Sequence, residues 1–305
     1  AYTTSPVHNL DTWLDLAKKI EDSGADSLAI KDMAGLLRPF DAYDLVKSLK
    51  ETLSIPIHMQ THATTGMSPA TNMKAIEAGI DNIDTSISSL SMTYGHTATE
   101  TMLAIFEGKD RYLNLDLDAL EEVSIFFKDI REKYSEFEGN LKGVDSTMLV
   151  KQVPGGMLSN LESQLRANKQ EDKIEMVIDE IPKVRKDFGY PPLVTPASQI
   201  VGAQALLNII DGQSYKNLSN ESINLIKGKY GKLPGEVKIE LKKRVETIDE
   251  IDESVNEEEL EIMKKELSEL CLQNSLPDLS NNEEMVLSYI LFPNIALKFF
   301  KSLNI

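Results

Sequence analysis

Cysteine is nearly absent: Cys271 is the only one in 305 residues. Neither an intrachain disulfide nor a zinc cage of thiolates can form. Cys271 falls within a helical pattern, which reads as a buried structural thiol and not a nucleophile. No apolar stretch reaches the 18 or so residues of a membrane span. No basic start followed by an apolar core marks a signal peptide. The expectation is a cytoplasmic chain, at most peripheral to a membrane complex, with no direct membrane insertion. No Lys/Arg-rich block offsets a formal net charge of -17, so a phosphate backbone would be repelled and nucleic acid is excluded as a partner. No internal repeat or low-complexity tract is present. The acidic stretch over 246–270 reads as a solvated helical face.

What is present suffices for one large domain or two ordinary ones. The first hundred residues alternate amphipathic and short apolar segments. "TWLDLAKKIEDSG", "AYDLVKSLKETL" and "PATNMKAIEAG" have helical spacing. "ADSLAIKDMAG", "IPIHMQTH" and "IDNIDTSIS" read as buried strands. Helices of this length between such strands predict βαβ units and a parallel sheet. From about residue 115 the pattern turns helical, with periods over 117–134, 159–181, 198–210, 219–227, 235–246, 255–273 and 282–302. An acidic, flexible link is expected near 246–256.

Polar residues gather where the strands end: Lys31 and Asp32, His62, and Asp84 to Ser86. In (β/α)8 barrels and doubly wound sheets that edge carries the chemistry. Within "PIHMQTHATTG", His58, Gln60 and His62 occupy alternate positions and so share one strand face. Each has an ordinary reading too. A lone His at a strand end is usually hydrogen-bonded and no more, Lys31 can snorkel or pair with Asp32, and "LVTPAS" reads as a helix start with Thr195 as N-cap.

Together the segments resemble one family. "SLAIKDMAGLLRPFDAYDLVKSLK", "HMQTHATTGMS", "SSLSMTYGHTATE", "KQVPGGMLSNLESQL" and "PPLVTPASQIVGAQA" look like the carboxyltransferase family of biotin-dependent enzymes. That family comprises oxaloacetate decarboxylase α subunits, the large non-biotin subunit of transcarboxylase, and the carboxyltransferase domain of pyruvate carboxylase. "YTTSPVH" and "LFPNIALKFF" extend the likeness over almost the whole chain. The resemblance implies an α/β fold: the C-terminal part of a (β/α)8 TIM barrel, about strands 6 to 8, over residues 1–114, then a mostly helical domain over 115–305.

The resemblance also implies roles. The "KDMAG" lysine, here Lys31, is carbamylated in the family and binds a divalent metal (Zn, Mn or Co); carbamylation turns a cation into an anionic oxygen ligand. Two ligands from a His-x-His pair map to Gln60 and His62. His58 aligns with a residue that is not a ligand, and lies about 7 Å further down the strand. An amide oxygen is a poorer zinc-type ligand than imidazole, so weakened metal binding is expected. Thr195, in the "VTPxS" motif, relays a proton between biotin and the enolate, with Ser198 near the biotin and Met33 lining the pocket or filling the core. Biotin arrives on a separate domain or chain, and the substrates are oxaloacetate and pyruvate.

The earlier strands, which in the family carry an aspartate ligand and the arginine and glutamine that clamp the keto acid, are not found before "AYTTSPVH". No "MKM"-like biotin site follows Ile305. A partial record of a longer enzyme, one part of a split enzyme and a decayed paralogue all accommodate this. The expected function is an oxaloacetate decarboxylase-like carboxyltransferase. The alternatives are a transcarboxylase subunit, or a non-catalytic assembly subunit that binds a biotin carrier or a second barrel half. A homodimer, or completion by the missing barrel half, is the expected assembly.

Overall fold

The computed structural model describes residues 1–111, 113–135, 138, 141–144, 147–167, 169–248 and 257–302. Contacts divide the chain into two compact units, Ala1–Thr247 and Ile248–Ile305.

The first unit begins with βα alternation. Helix α1 (Leu10–Asp22) starts at Asn9, whose side chain accepts from the Thr12 amide and caps the first turn. Strand β1 (Leu28–Asp32), α2 (Pro39–Thr52), β2 (Ile57–Thr61), α3 (Ser68–Glu77) and β3 (Asn82–Ile83) follow. The three strands are parallel in the order β1-β2-β3 and leave an unclosed sheet. Ile30 and Asp32 on β1, with Ile57, Met59 and Thr61 on β2, face the helices and are buried. Ala42, Val46 and Ala75 close over them without solvent exposure. Each fully buried Val, Ile or Met side chain contributes roughly 1.5–3 kcal/mol. Asp81 anchors the entry to β2, accepting from the Ile57 amide at 2.8 Å and pairing with Lys50 at 2.8 Å. The third strand is shorter than its sequence pattern: only Asn82 and Ile83 pair with β2, as partners of His58 and Met59.

Helices α4 (Thr99–Phe106), α5 (Leu117–Lys133), α6 (Thr147–Lys151), α7 (Gly155–Ala167), α8 (Ile174–Asp187), α9 (Ala197–Asp211), α10 (Asn220–Ile226) and α11 (Ile239–Glu246) complete the unit. The anticipated barrel strands followed by a helical region are therefore present. The helix expected over 159–181 is two helices, parted by a short 3-10 turn at Glu171–Lys173. The second of them runs through Pro182 to Asp187. A proline inside a helix costs about 3 kcal/mol. Ile181, Val184 and Phe188, all fully buried in the helical core, offset that cost.

In the second unit α12 (Glu257–Gln273), α13 (Glu283–Leu291) and α14 (Pro293–Ser302) enclose Leu267, Cys271, Val286 and Phe300. Cys271 is a buried free thiol, as its pattern predicts. The helix expected over 282–302 is broken at Pro293, which cannot continue a helix but suits the first turn of a new one. The acidic link lies largely outside the described residues. Among the described residues no helix is long and apolar enough to cross a membrane.

Candidate active site

The parallel register sets Lys31 on β1 directly beside Gln60 on β2, and Ala29 beside His58. Because the opposite face is packed on helices, Lys31, His58, Gln60 and the following His62 lie along the uncovered face. Lys31 is exposed and forms no ion pair among the described residues. It does not pair with Asp32, which points the other way. His58 meets the Asn82 amide at 3.3 Å, towards β3. The pairing is in register, so His58 does not slide into the position of Gln60.

The turn after β1 is tied to the end of β2. The buried Asp32 carboxylate accepts from the amides of Leu36 and Leu37, both at 2.9 Å, and from the Thr61 hydroxyl at 3.0 Å. Burial raises its pKa against the pull of those donors. The His62 amide donates to the Asp32 carbonyl at 3.1 Å. Gly35 closes the turn at φ +64°, where an added Cβ would lie 2.5 Å from the His62 carbonyl oxygen. Lys31 and His62 are thus held by one knot of backbone.

A residue without an assigned role in the motif reading joins them. The His96 ring lies 4.5 Å from the His62 ring, centre to centre, at 50°. His62 Nδ1 is 2.7 Å from the Tyr94 carbonyl, and His96 Nδ1 is 3.1 Å from the Thr61 carbonyl. A carbonyl only accepts, so each Nδ1 carries the proton and each Nε2 keeps its lone pair. Burial, with the charges of His96 and Lys31, holds the His62 pKa below the usual imidazole range, against the Tyr94 carbonyl. The one available signal for His96 was rarity: it is one of four histidines, placed after the Gly95 turn.

Thr195 and Ser198 come from the loop between α8 and α9. Thr195 is exposed, and its side chain makes no hydrogen bond among the described residues. The N-cap of α9 is Pro196 and not Thr195, because the Ser198 amide already bonds the Val194 carbonyl at 2.9 Å across the Thr195–Pro196 pair. Ser198 is buried in the first turn of α9. Thr195 lines a cavity of about 570 Å³ with His8, Trp13, Val194, Tyr230 and Leu233; Lys31, Gln60, His62 and Met33 are not in its wall. Met33 is half-buried just past β1.

A buried arginine links the two groups. Arg185 donates to Thr3 Oγ1 at 2.6 Å, the Thr4 carbonyl at 3.1 Å, the Pro191 carbonyl at 3.2 Å and Gln152 Oε1 at 2.8 Å. The segment it grips is bonded to β1, Tyr2 N donating to the Lys31 carbonyl at 2.8 Å. The Thr195 loop is therefore fastened to the strand that carries Lys31.

Among the described residues no group of three His, Cys, Asp or Glu could hold a metal ion. A site here needs Lys31 as an anionic ligand and the Gln60 amide oxygen beside His62.

The profile of the family described as "Conserved carboxylase domain" matches residues 148–304, and the profile described as "HMGL-like" matches 4–126. The chain belongs to the carboxyltransferase family. This carboxyltransferase chain is 46% identical over 301 residues to a pyruvate carboxylase subunit from Methanocaldococcus jannaschii, covering 98% of the chain and 53% of the relative. It is 42% identical to the methylmalonyl-CoA carboxyltransferase 5S subunit of Propionibacterium freudenreichii, covering 98% of the chain and 59% of the relative. The carboxyl transferase domain of Rhizobium etli pyruvate carboxylase with pyruvate and biocytin superposes with a TM-score of 0.78 at 26% identity, covering 98% of the chain and 52% of that structure. The chain spans about half the length of the relatives it matches.

Proposed function

We propose that this chain contributes the metal and proton-relay half of a biotin-dependent carboxyltransferase of the oxaloacetate decarboxylase type. The observation that carries the reading is an unpaired Lys31 in register with Gln60, on the uncovered sheet face that also bears His62. Lys31, once carbamylated, Gln60 and His62 fit as oxygen, oxygen and nitrogen donors. A divalent cation bound there supplies positive charge for the enolate oxygen. The bond between the keto acid and its carboxyl group breaks, leaving its electrons in the enolate. The released carbon dioxide forms a bond to the ureido nitrogen of biotin. Thr195 takes the ureido proton and passes its own to the enolate carbon, which yields pyruvate. A hydroxyl suits this relay because it accepts and donates without net charge, and the Thr195 hydroxyl is exposed beside a cavity. Ser198 and Met33 are assigned to the biotin and pocket walls.

In this reading residues 1–114 form the metal-bearing part and 115–305 the carrier-facing part. Oxaloacetate or pyruvate and a biotin carrier are the partners, a homodimer or a complementary barrel half completes the assembly, and the location is cytoplasmic. The transcarboxylase alternative shares the half-reaction, and the 5S relative supports it equally.

The test supplies the preceding barrel half of a relative and a biotinylated carrier domain, then follows pyruvate release with lactate dehydrogenase. Thr195→Ala is expected to lower turnover by about 100-fold or more, with Thr195→Ser retaining most of it. No pyruvate with metal supplied, and none after Gln60→His, defeats the reading.

A further inference from the structure

Gln60 leaves the candidate metal site one imidazole poorer than the family pattern, and the fold brings another imidazole to it. We propose that His96 is a metal ligand of this chain, binding through Nε2 alongside His62. The inference rests on the metal reading of Lys31 and His62 given above.

Three observations carry it. The first is spacing. An imidazole nitrogen about 2.0–2.1 Å from an ion puts the ring centre about 3.1–3.2 Å away. Two such rings are then about 4.5 Å apart for ligands at right angles, and about 5.1 Å apart for tetrahedral ones. The His62 and His96 rings are 4.5 Å apart and tilted by 50°.

The second is tautomer. Both Nδ1 atoms are spent on backbone carbonyls, Tyr94 for His62 and Thr61 for His96. Metal-binding histidines characteristically donate their other nitrogen in this way, which fixes ring orientation and raises ligand basicity. Had the pair merely satisfied each other, one ring nitrogen would have donated to the other ring.

The third is the construction of the loop that presents His96. It is stitched to the turn carrying His62 from both sides. Ala63 N donates to the Gly95 carbonyl at 2.9 Å, and Thr64 Oγ1 to the Thr93 carbonyl at 3.0 Å. Met92 and Thr93 sit in the left-handed region at φ +61° and +48°. For a β-branched threonine that is a costly conformation, and such strain collects where geometry serves a site. A Cβ at Gly95 would stand 2.9 Å from the Leu90 carbonyl oxygen, so the loop cannot relax at that point with a larger residue. The ring that results belongs to a chain segment more than thirty positions beyond Gln60.

The test uses the full 305-residue chain, stripped of metal and titrated with cobalt(II) chloride in bicarbonate buffer. His96→Asn is the informative variant: its amide can still donate to the Thr61 carbonyl, yet it lacks Nε2. His96→Asn and His62→Asn are each expected to weaken cobalt binding by about 100-fold or more, the upper end of what loss of an outer hydrogen-bond partner costs. Gln60→His added to His96→Asn is expected to restore affinity. Proton NMR of the unsubstituted cobalt-loaded chain provides a readout independent of variant folding, with two exchangeable imidazole N–H signals displaced far from their diamagnetic positions. A His96→Asn loss smaller than about 100-fold with His62→Asn still disabling, or a single displaced signal, overturns the role of His96 and leaves the metal reading standing. Cobalt uptake indifferent to His62→Asn overturns both.

Discussion

Replacing Gly35 by alanine perturbs the knot that joins Lys31 to His62, and its consequence can be worked from the geometry. Gly35 has φ +64°, a region that costs an L-residue about 1–2 kcal/mol. The added methyl would lie 2.5 Å from the His62 carbonyl oxygen and 3.2 Å from Thr65 Oγ1. Carbon–oxygen contacts settle at about 3.3 Å or more, so backbone must part by roughly 0.8 Å. Overpacking of this kind costs about 1–3 kcal/mol. The expected total is about 2–5 kcal/mol. Gly24→Ala is the control, since Gly24 is also left-handed at φ +88° but has nothing within 4 Å of its Cβ position. It should lose only the conformational share, about 1–2 kcal/mol. Urea unfolding followed by fluorescence of Trp13, the single tryptophan, reads both variants within the same core. Equal losses for the two would refute the argument that close approach of His62 demands glycine here.

Two further outcomes follow from the same packing. His8 stacks on Trp13 with ring centres 5.0 Å apart, and burial, then the charge of Arg185, lowers its pKa to about 4. The folded protein keeps His8 neutral while the unfolded chain takes up a proton below its ordinary pKa of 6.5, so stability is full above pH 6.5 and falls towards pH 4. Discounted for partial exposure, the loss is about 1–2 kcal/mol, and His8→Gln should remove it from the pH dependence of the urea midpoint. Arg185→Met strands the acceptors that hold the Thr195 loop to the residues beside β1; at about 1 kcal/mol net for each of four bonds it should cost roughly 3–4 kcal/mol. Calorimetry of the variant checks this, and a melting temperature unchanged from the parent refutes it.

The order of strands and helices was legible because it depends on local periodicity. Apolar residues at alternate positions in β1 and β2 left Lys31, Gln60 and His62 only one face to occupy. The family motifs marked the same residues for the same reason: each is a short local segment. Helix ends were less legible. Burial of Ile181, Val184 and Phe188 carries α8 through Pro182, and that burial depends on partners far along the chain.

What the sequence alone determined, then, is the set of residues that share a strand or a turn, since backbone geometry dictates it within a few positions. Tertiary structure alone decided that a strained loop returns to set His96 against His62. It likewise decided that Arg185 reaches back across the chain to Thr3 and Thr4, tying the relay loop to the lysine strand. Neither follows from pattern, because both are hydrogen-bonded closures between distant segments, and their geometry exists only once the core has brought those segments together.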